Sequence, residues 1–145
     1  MSQSSIYSPF SVNRYTFFAK SIDNFFYFTY VHNYGAAWGI LQGKINLFFI
    51  VSIVATIGII YYFHKEAQGK PLFQYGLMML LGGAIGNFID RLVRNEVVDF
   101  VDILIPIINY DFPIFNIADA ALTIGVVIII LFILKEERAE KKKVK

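Results

Sequence analysis

The chain alternates long uncharged runs with short polar breaks. Residues 45–63 and 72–89 carry no charge, and 117–134 carries only Asp119 near its start. At ~1.5 Å rise per residue the first run covers roughly 28 Å, the thickness of a bilayer's hydrocarbon core. Three membrane spans are therefore expected, at about 45–63, 72–90 and 117–134. Gly76, Gly82, Gly83 and Gly86 stud the second span, and small residues of this kind let membrane helices pack closely. His64 to Pro71 is a charged break punctuated by Gly69 and Pro71. Ahead of the first span the pattern changes. Residues 25–31 read F-F-Y-F-T-Y-V, aromatic and β-branched, which favours a strand or an interfacial segment over a helix. The small residues that follow, through Gly39, permit a turn or close backbone approach. Residues 1–24 are polar and irregular apart from the cluster Phe17, Phe18 and Ala19.

Composition supports the membrane reading. Of the 145 residues 57% are hydrophobic and 17% charged, where soluble domains carry about 25% charged residues. A formal charge of +2 is too small to suggest nucleic acid as a partner. Without cysteine the chain has no disulfide, thiolate or Cys-based metal chemistry. The first 20 residues hold no apolar core of signal-peptide length, so insertion is expected to use internal segments. Basic residues in the 64–70 loop and in the 135–145 tail mark both as cytoplasmic, a consistent pair because two spans separate them. Residues 86–119 and 1–44 then lie on the outer side. Trp38, Tyr30 and Tyr34 fit an aromatic belt at headgroup level.

The candidate chemistry is concentrated between Gly86 and Asp119. Asp90, Asp99, Asp102, Asp111 and Asp119, with Asn87, Asn109 and Asn116, fall in this stretch between spans, where ionisable groups suggest function. Two carboxylates brought within a few Å share a proton, because both cannot ionise readily. The ionised partner can take a proton from water and the protonated one can donate to a carbonyl or a leaving amine. Asp99 and Asp119, each placed at the outer end of a span, could converge as such a pair and hydrolyse a peptide bond without a metal. Each could equally serve as a helix cap: Asn116 followed by Asp119 is a good first-turn pattern. Asp90 and Arg91 also read as a structural ion pair or hydrogen-bonded cluster. Asn33, Asn87 and Asn116 can hold a carboxylate, a substrate backbone or a helix end. His32 and His64, expected on opposite sides of the membrane, make a poor metal site, and no Ser or Thr nucleophile finds a supporting base. A proton relay through Asp90, Asp99 and Asp119 is a third class of reading. The position of these groups near span ends argues against it.

Three blocks resemble the lipoprotein signal peptidase (signal peptidase II) family in order: Tyr30-Val31-His32-Asn33-Tyr34-Gly35-Ala36-Ala37-Trp38-Gly39; Gly86-Asn87-Phe88-Ile89-Asp90-Arg91 continuing to Val97-Val98-Asp99-Phe100-Val101-Asp102; and Phe112-Pro113-Ile114-Phe115-Asn116-Ile117-Ala118-Asp119. The resemblance covers about residues 24–135. It implies a mainly α membrane protein, a four-helix bundle with a small outer β-rich cradle at 24–44, in one membrane-embedded domain of the bacterial inner membrane with its site at the outer face. It implies an aspartic endopeptidase that cuts diacylglyceryl-modified prolipoproteins before the lipidated Cys. Asp99 and Asp119 would be catalytic, supported near the dyad and substrate by Asn33, Asn87, Asp90, Arg91 and Asn116. No cofactor is expected. Membrane phospholipid and globomycin-type cyclic-peptide inhibitors are the other expected partners, and the chain is expected to be a monomer. His32 stands where the family commonly has Arg, Tyr34 where it has Thr, Trp38 where it has Phe, and Asn95 where it has Gly. Asn tolerates the left-handed conformation such a turn needs. The family's first helix should precede residue 24, yet only three spans are evident here, so residues 1–23 are expected to be divergent or truncated. The alternative is a non-catalytic membrane protein of the same fold.

Overall fold

The computed structural model describes residues 21–22, 26–35, 44–105, 107–108 and 110–143. Expectations for residues 1–20, for residues 23–25 and 36–43 of the expected cradle (Trp38 among them) and for Asn109 lie outside these. Seven elements follow one another: β1 (Ser21–Ile22), β2 (Phe26–Asn33), α1 (Ile45–Lys65), α2 (Pro71–Arg94), β3 (Val97–Ile105), β4 (Tyr110–Asp111) and α3 (Ile117–Lys143). The three helices are long and apolar enough to cross a membrane, with mean hydropathies of 2.1, 1.4 and 2.8. Helix α1 buries no residue, and side chains such as Val54 and Ile57 are more than half exposed, as a lipid-facing surface requires. This is a mainly helical, multi-pass membrane protein carrying a small antiparallel sheet.

Two helices outlast their apolar runs. Helix α2 continues to Arg94, so Asp90 and Arg91 lie within it, and it ends where Asn95 takes φ 61° and ψ 15°. Asn95 is the one non-glycine residue with positive φ among those described, and it sits where the sequence implied a left-handed turn. Helix α3 runs past Leu134 through a charged stretch to Lys143. There, residues of high helix propensity and the Glu137–Lys141 spacing of four support a solvated helix. The α1–α2 connection turns at Gly69, whose φ of 75° suits glycine, and Pro71 opens α2 at the position where its missing N–H costs nothing.

Helices α2 and α3 pack antiparallel along two stripes of small and apolar residues. Gly76 and Gly83 on α2 face Gly125, Ile129, Ala118 and Leu122 on α3. A Cβ on Gly125 would stand 2.8 Å from the Gly76 carbonyl oxygen and 2.9 Å from the Leu80 nitrogen, so here backbone meets backbone. Phe73 stacks on Phe132 at the far end of this seam, with ring centroids 4.9 Å apart.

The sheet has the order β1-β2-β3-β4. Its main pair is β2 and β3, with Val31 opposite Asp99 and Asn33 opposite Val97, and a register shift between Phe28 and Val31. After β4 the chain stays beside β3. The Val101 N–H donates to the Phe115 carbonyl and the Phe115 N–H donates back, at 2.8 and 3.1 Å. That return path delivers the start of α3 next to Asp99.

Candidate active site

Asp99 does not cap the second span, as its place in the sequence suggested. It lies on β3, and its position follows from strand register. Its side chain is buried, and both oxygens accept a hydrogen bond: Asn33 Nδ2 donates to Oδ2 and Asn116 Nδ2 donates to Oδ1, each at 2.8 Å. Asn33 comes from β2, the strand paired with β3. Asn116 comes from the return segment, next to the Phe115–Val101 bridge.

Asp119 sits in the first turn of α3. Its Oδ2 accepts the Asn116 backbone N–H at 3.2 Å, while the Asp119 N–H donates to Asn116 Oδ1 at 3.0 Å. This reciprocal exchange is a capping box, in which the cap residue and the third helical residue satisfy each other's backbone donors. Asp119 still has a free role for its other oxygen, because Oδ1 accepts from Asn87 Nδ2 at 2.7 Å. Capping therefore uses one oxygen of Asp119 and leaves the other bonded to Asn87, so the cap does not preclude a role for this side chain in chemistry. Capping holds Asp119 in place, and Asn87 fixes its second oxygen.

Asn87 reaches Asp119 because of the seam. It lies one helical turn beyond Gly83, on the same stripe of α2, where the backbones are too close to leave room for a Cβ. Its Oδ1 accepts a second hydrogen from Asn116 Nδ2, at 3.1 Å. Asn116 thus spends both amide hydrogens, one on Asp99 and one on Asn87, and its oxygen on the Asp119 N–H. Asn116 and Asn87 link the two carboxylates while Asn33 braces Asp99 from β2, and no buried side-chain polar atom among the described residues is left without a partner.

Burial pushes the Asp99 carboxyl up from 3.8 to about 6, aided by the negative charge of Asp119. The hydrogen bonds from Asn33 and Asn116 and the charge of Arg91 work in the opposite direction. Asp119 is the more accessible of the two. The arrangement is one buried carboxyl that holds its proton to higher pH than usual, linked through Asn116 to a second, half-buried carboxylate.

Arg91 does not pair with Asp90. Its guanidinium donates to the carbonyls of Asn87 (3.1 Å) and Gly35 (3.2 Å) and lies 4.6 Å from the Phe48 ring centroid. It ties α1, α2 and the end of β2 together and supplies positive charge near the carboxylates. Asp90 stands one step back, 3.9 Å from Arg94.

Residues 4–135 match the family described as signal peptidase (SPase) II. The chain belongs to the signal peptidase II family. The match extends the resemblance, expected from about residue 24, back to residue 4. Lipoprotein signal peptidases of Staphylococcus aureus, strains JH9 and Newman among them, are 50% identical over 122 residues, covering 84% of this chain and 74% of theirs. A bacterial membrane enzyme solved by the in meso method at 2.3 Å superposes with a TM-score of 0.77 at 50% identity, covering 82% of this chain and 71% of that one. Another, at 1.9 Å, gives 0.71 at 51% identity, covering 80% and 74%.

Two features of this member of the family were not anticipated. Thr29 Oγ1 donates to Asp102 Oδ2 at 2.8 Å, with both residues buried between β2 and β3. The signal was present, since an Asp inside an apolar strand needs a donor opposite it. Glu96, passed over in the sequence, lies 2.5 Å from His32 Nδ1.

Proposed function

We propose that this chain is an aspartic endopeptidase that removes signal peptides from diacylglyceryl-modified prolipoproteins, cutting before the lipidated Cys. Asp99 and Asp119 are the catalytic pair in this reading. The observation that carries it is the Asn116 side chain, which hydrogen-bonds Asp99 while its backbone N–H holds Asp119. Family membership supports a protease, and two adjacent carboxylates supply the acid and base that peptide hydrolysis needs.

The proton belongs to the pair, and burial favours keeping it on Asp99. Asp119, ionised, takes a proton from a water placed between the carboxylates and the scissile carbonyl. The water oxygen bonds to the carbonyl carbon as Asp99 passes its proton to the carbonyl oxygen. Collapse of the tetrahedral diol breaks the C–N bond: the proton gained by Asp119 goes to the leaving amine, and one diol proton returns to Asp99, leaving the carboxylic acid and the starting protonation of the pair. Asn33 and Asn116 hold Asp99 in place, Asn87 orients Asp119, and Arg91 balances the negative charge, with Asp90 supporting the end of α2. The acyl chains stay in lipid, so remote binding positions the reacting carbonyl.

Lys65 and Lys70 lie at the α1–α2 connection and Lys141 to Lys143 at the end of α3, opposite the carboxylates along the helices. Positive-inside bias supports a cytoplasmic position for those ends and a site at the outer face of the bacterial cytoplasmic membrane. The enzyme works as a monomer without a cofactor, and globomycin-type cyclic peptides are its expected inhibitors.

The test is cleavage of a diacylglyceryl-modified prolipoprotein by the purified chain beside Asp99→Asn and Asp119→Asn. Either substitution is expected to lower kcat by about 10³-fold or more while the protein still inserts. Substantial cleavage by either variant, or none by a folded and inserted parent, overturns the reading.

A further inference from the structure

Two diagonal contacts meet at the end of the β2–β3 ladder, one on each face. Pairing resumes after the register shift with Val31, His32 and Asn33 opposite Asp99, Val98 and Val97. On one face Asn33 reaches diagonally to Asp99. On the other, His32 reaches diagonally to Glu96, with Nδ1 and Oε1 2.5 Å apart. Tyr34 also hydrogen-bonds Glu96. The His32 ring stacks on Tyr34 at a centroid distance of 6.4 Å and meets Tyr30 edge-on at 5.0 Å. Glu96 follows the left-handed Asn95 that ends α2, so this cluster joins the end of a helix to both strands.

Asn33 occupies the last of these rungs, where a strand end frays most readily. It donates the hydrogen bond that steadies Asp99 as a carboxylate. The His32–Glu96 contact crosses that last rung from behind, from His32 to the residue just before β3. Burial works against the Glu96 charge, yet the hydrogen bonds of Tyr34 and His32 and the charges of His32 and Arg94 hold its carboxyl below the usual range.

We propose that His32, Glu96 and Tyr34 form a clasp on the far face of the ladder that positions Asn33 against Asp99. The three act through Asn33 and do not touch the reacting atoms; they are positioning residues. The inference rests on the reading of Asp99 and Asp119 as the catalytic pair.

The pH dependence of kcat/KM tests it, measured on a diacylglyceryl-modified prolipoprotein with the full chain. Asn33→Ala removes a donor to ionised Asp99, so the profile moves to higher pH. His32→Ala and Glu96→Ala are expected to move it the same way, by about half a unit. Their kcat falls about tenfold with KM within about twofold, because the clasp adjusts geometry and does not bind substrate. Adding His32→Ala to Asn33→Ala changes little further, since the clasp acts only through Asn33. His32→Arg restores the parental profile, because a guanidinium can also bond the Glu96 carboxylate. Should His32→Ala fail to fold, Glu96→Ala alone carries the test. A parental profile in the folded clasp variants, or effects that add to those of Asn33→Ala, overturns the clasp. Asp99→Asn and Asp119→Asn run alongside: if they are inactive and the clasp variants keep the parental profile, only the clasp fails. If they cleave, the dyad reading falls and the clasp with it.

Discussion

The α2–α3 seam and the β2–β3 ladder each deliver one carboxylate to the same place, by opposite means. The seam works through missing side chains. A Cβ on Gly83 would stand 2.7 Å from Leu122 Cγ and 3.0 Å from the Leu122 nitrogen, and Gly125 is equally tight against α2. Lipid provides no hydrophobic drive between helices, so close dispersion contact has to hold them. The ladder works through added polar partners: Thr29 for Asp102 and Asn33 for Asp99, in a setting where an unpaired buried group is costly. Asp119 is thus vulnerable to an extra atom, and Asp99 to a lost donor. Asn116 is where the two regions meet.

The largest expected effect comes from breaking that joint. Asn116→Ala removes donors to Asp99 and Asn87 and the acceptor for the Asp119 N–H. Cleavage should fall about 10²–10³-fold, read as kcat on a lipidated substrate. Next is the seam. Gly83→Val should destabilise the fold by about 3 kcal/mol, the upper end of overpacking, because the obstructing atoms include backbone. Gly82 is the control, since nothing lies within 4 Å of its Cβ position. Thermal unfolding in detergent should separate the two residues clearly, with Gly82→Ala within about 0.5 kcal/mol of the parent.

A smaller effect sharpens the ladder side. The folded Asp99 pKa, about 6, lies above the ordinary 3.8, so folding favours the protonated acid. The stability this contributes is complete below 3.8 and is lost as pH rises through 6. The charged form costs on the order of 3 kcal/mol above that window. Asp99→Asn escapes the cost but forfeits about 1 kcal/mol, because an amide cannot accept from both asparagines. The variant should therefore unfold at higher temperature than the parent at pH 7.5, by about 2 kcal/mol of stability, with the difference vanishing near pH 4. Equal Tm values at both pH values would remove burial as the origin of the Asp99 shift.

Much of this architecture was legible before any coordinates. The hydrocarbon-length runs become α1, α2 and α3, residues Phe26 to Val31 of the aromatic and β-branched run fall within β2, and Asn95 turns left-handed. What could not be read was pairing across the fold. Arg91 is adjacent to Asp90 in sequence, but successive helical residues point about 100° apart, and Arg91 finds carbonyls on its own helix and at Gly35 instead. The Thr29–Asp102 and His32–Glu96 contacts join residues more than 60 positions apart, which no local pattern encodes. The charged end of α3 looked like a tail because hydropathy reports where a span stops, not where a helix does.

The sequence by itself determined which segments enter the membrane, because transfer into lipid depends on the composition of one continuous run. It also determined the cap of α3, because Asn116 and Asp119 lie within one turn of each other. Only the tertiary structure decided that Asp99 is the second carboxylate at that cap. Its place depends on a strand register, on a return segment bonded along β3, and on a seam between helices with no room for a Cβ. Each of these is a distance between parts of the chain remote in sequence, set by packing and hydrogen bonding together.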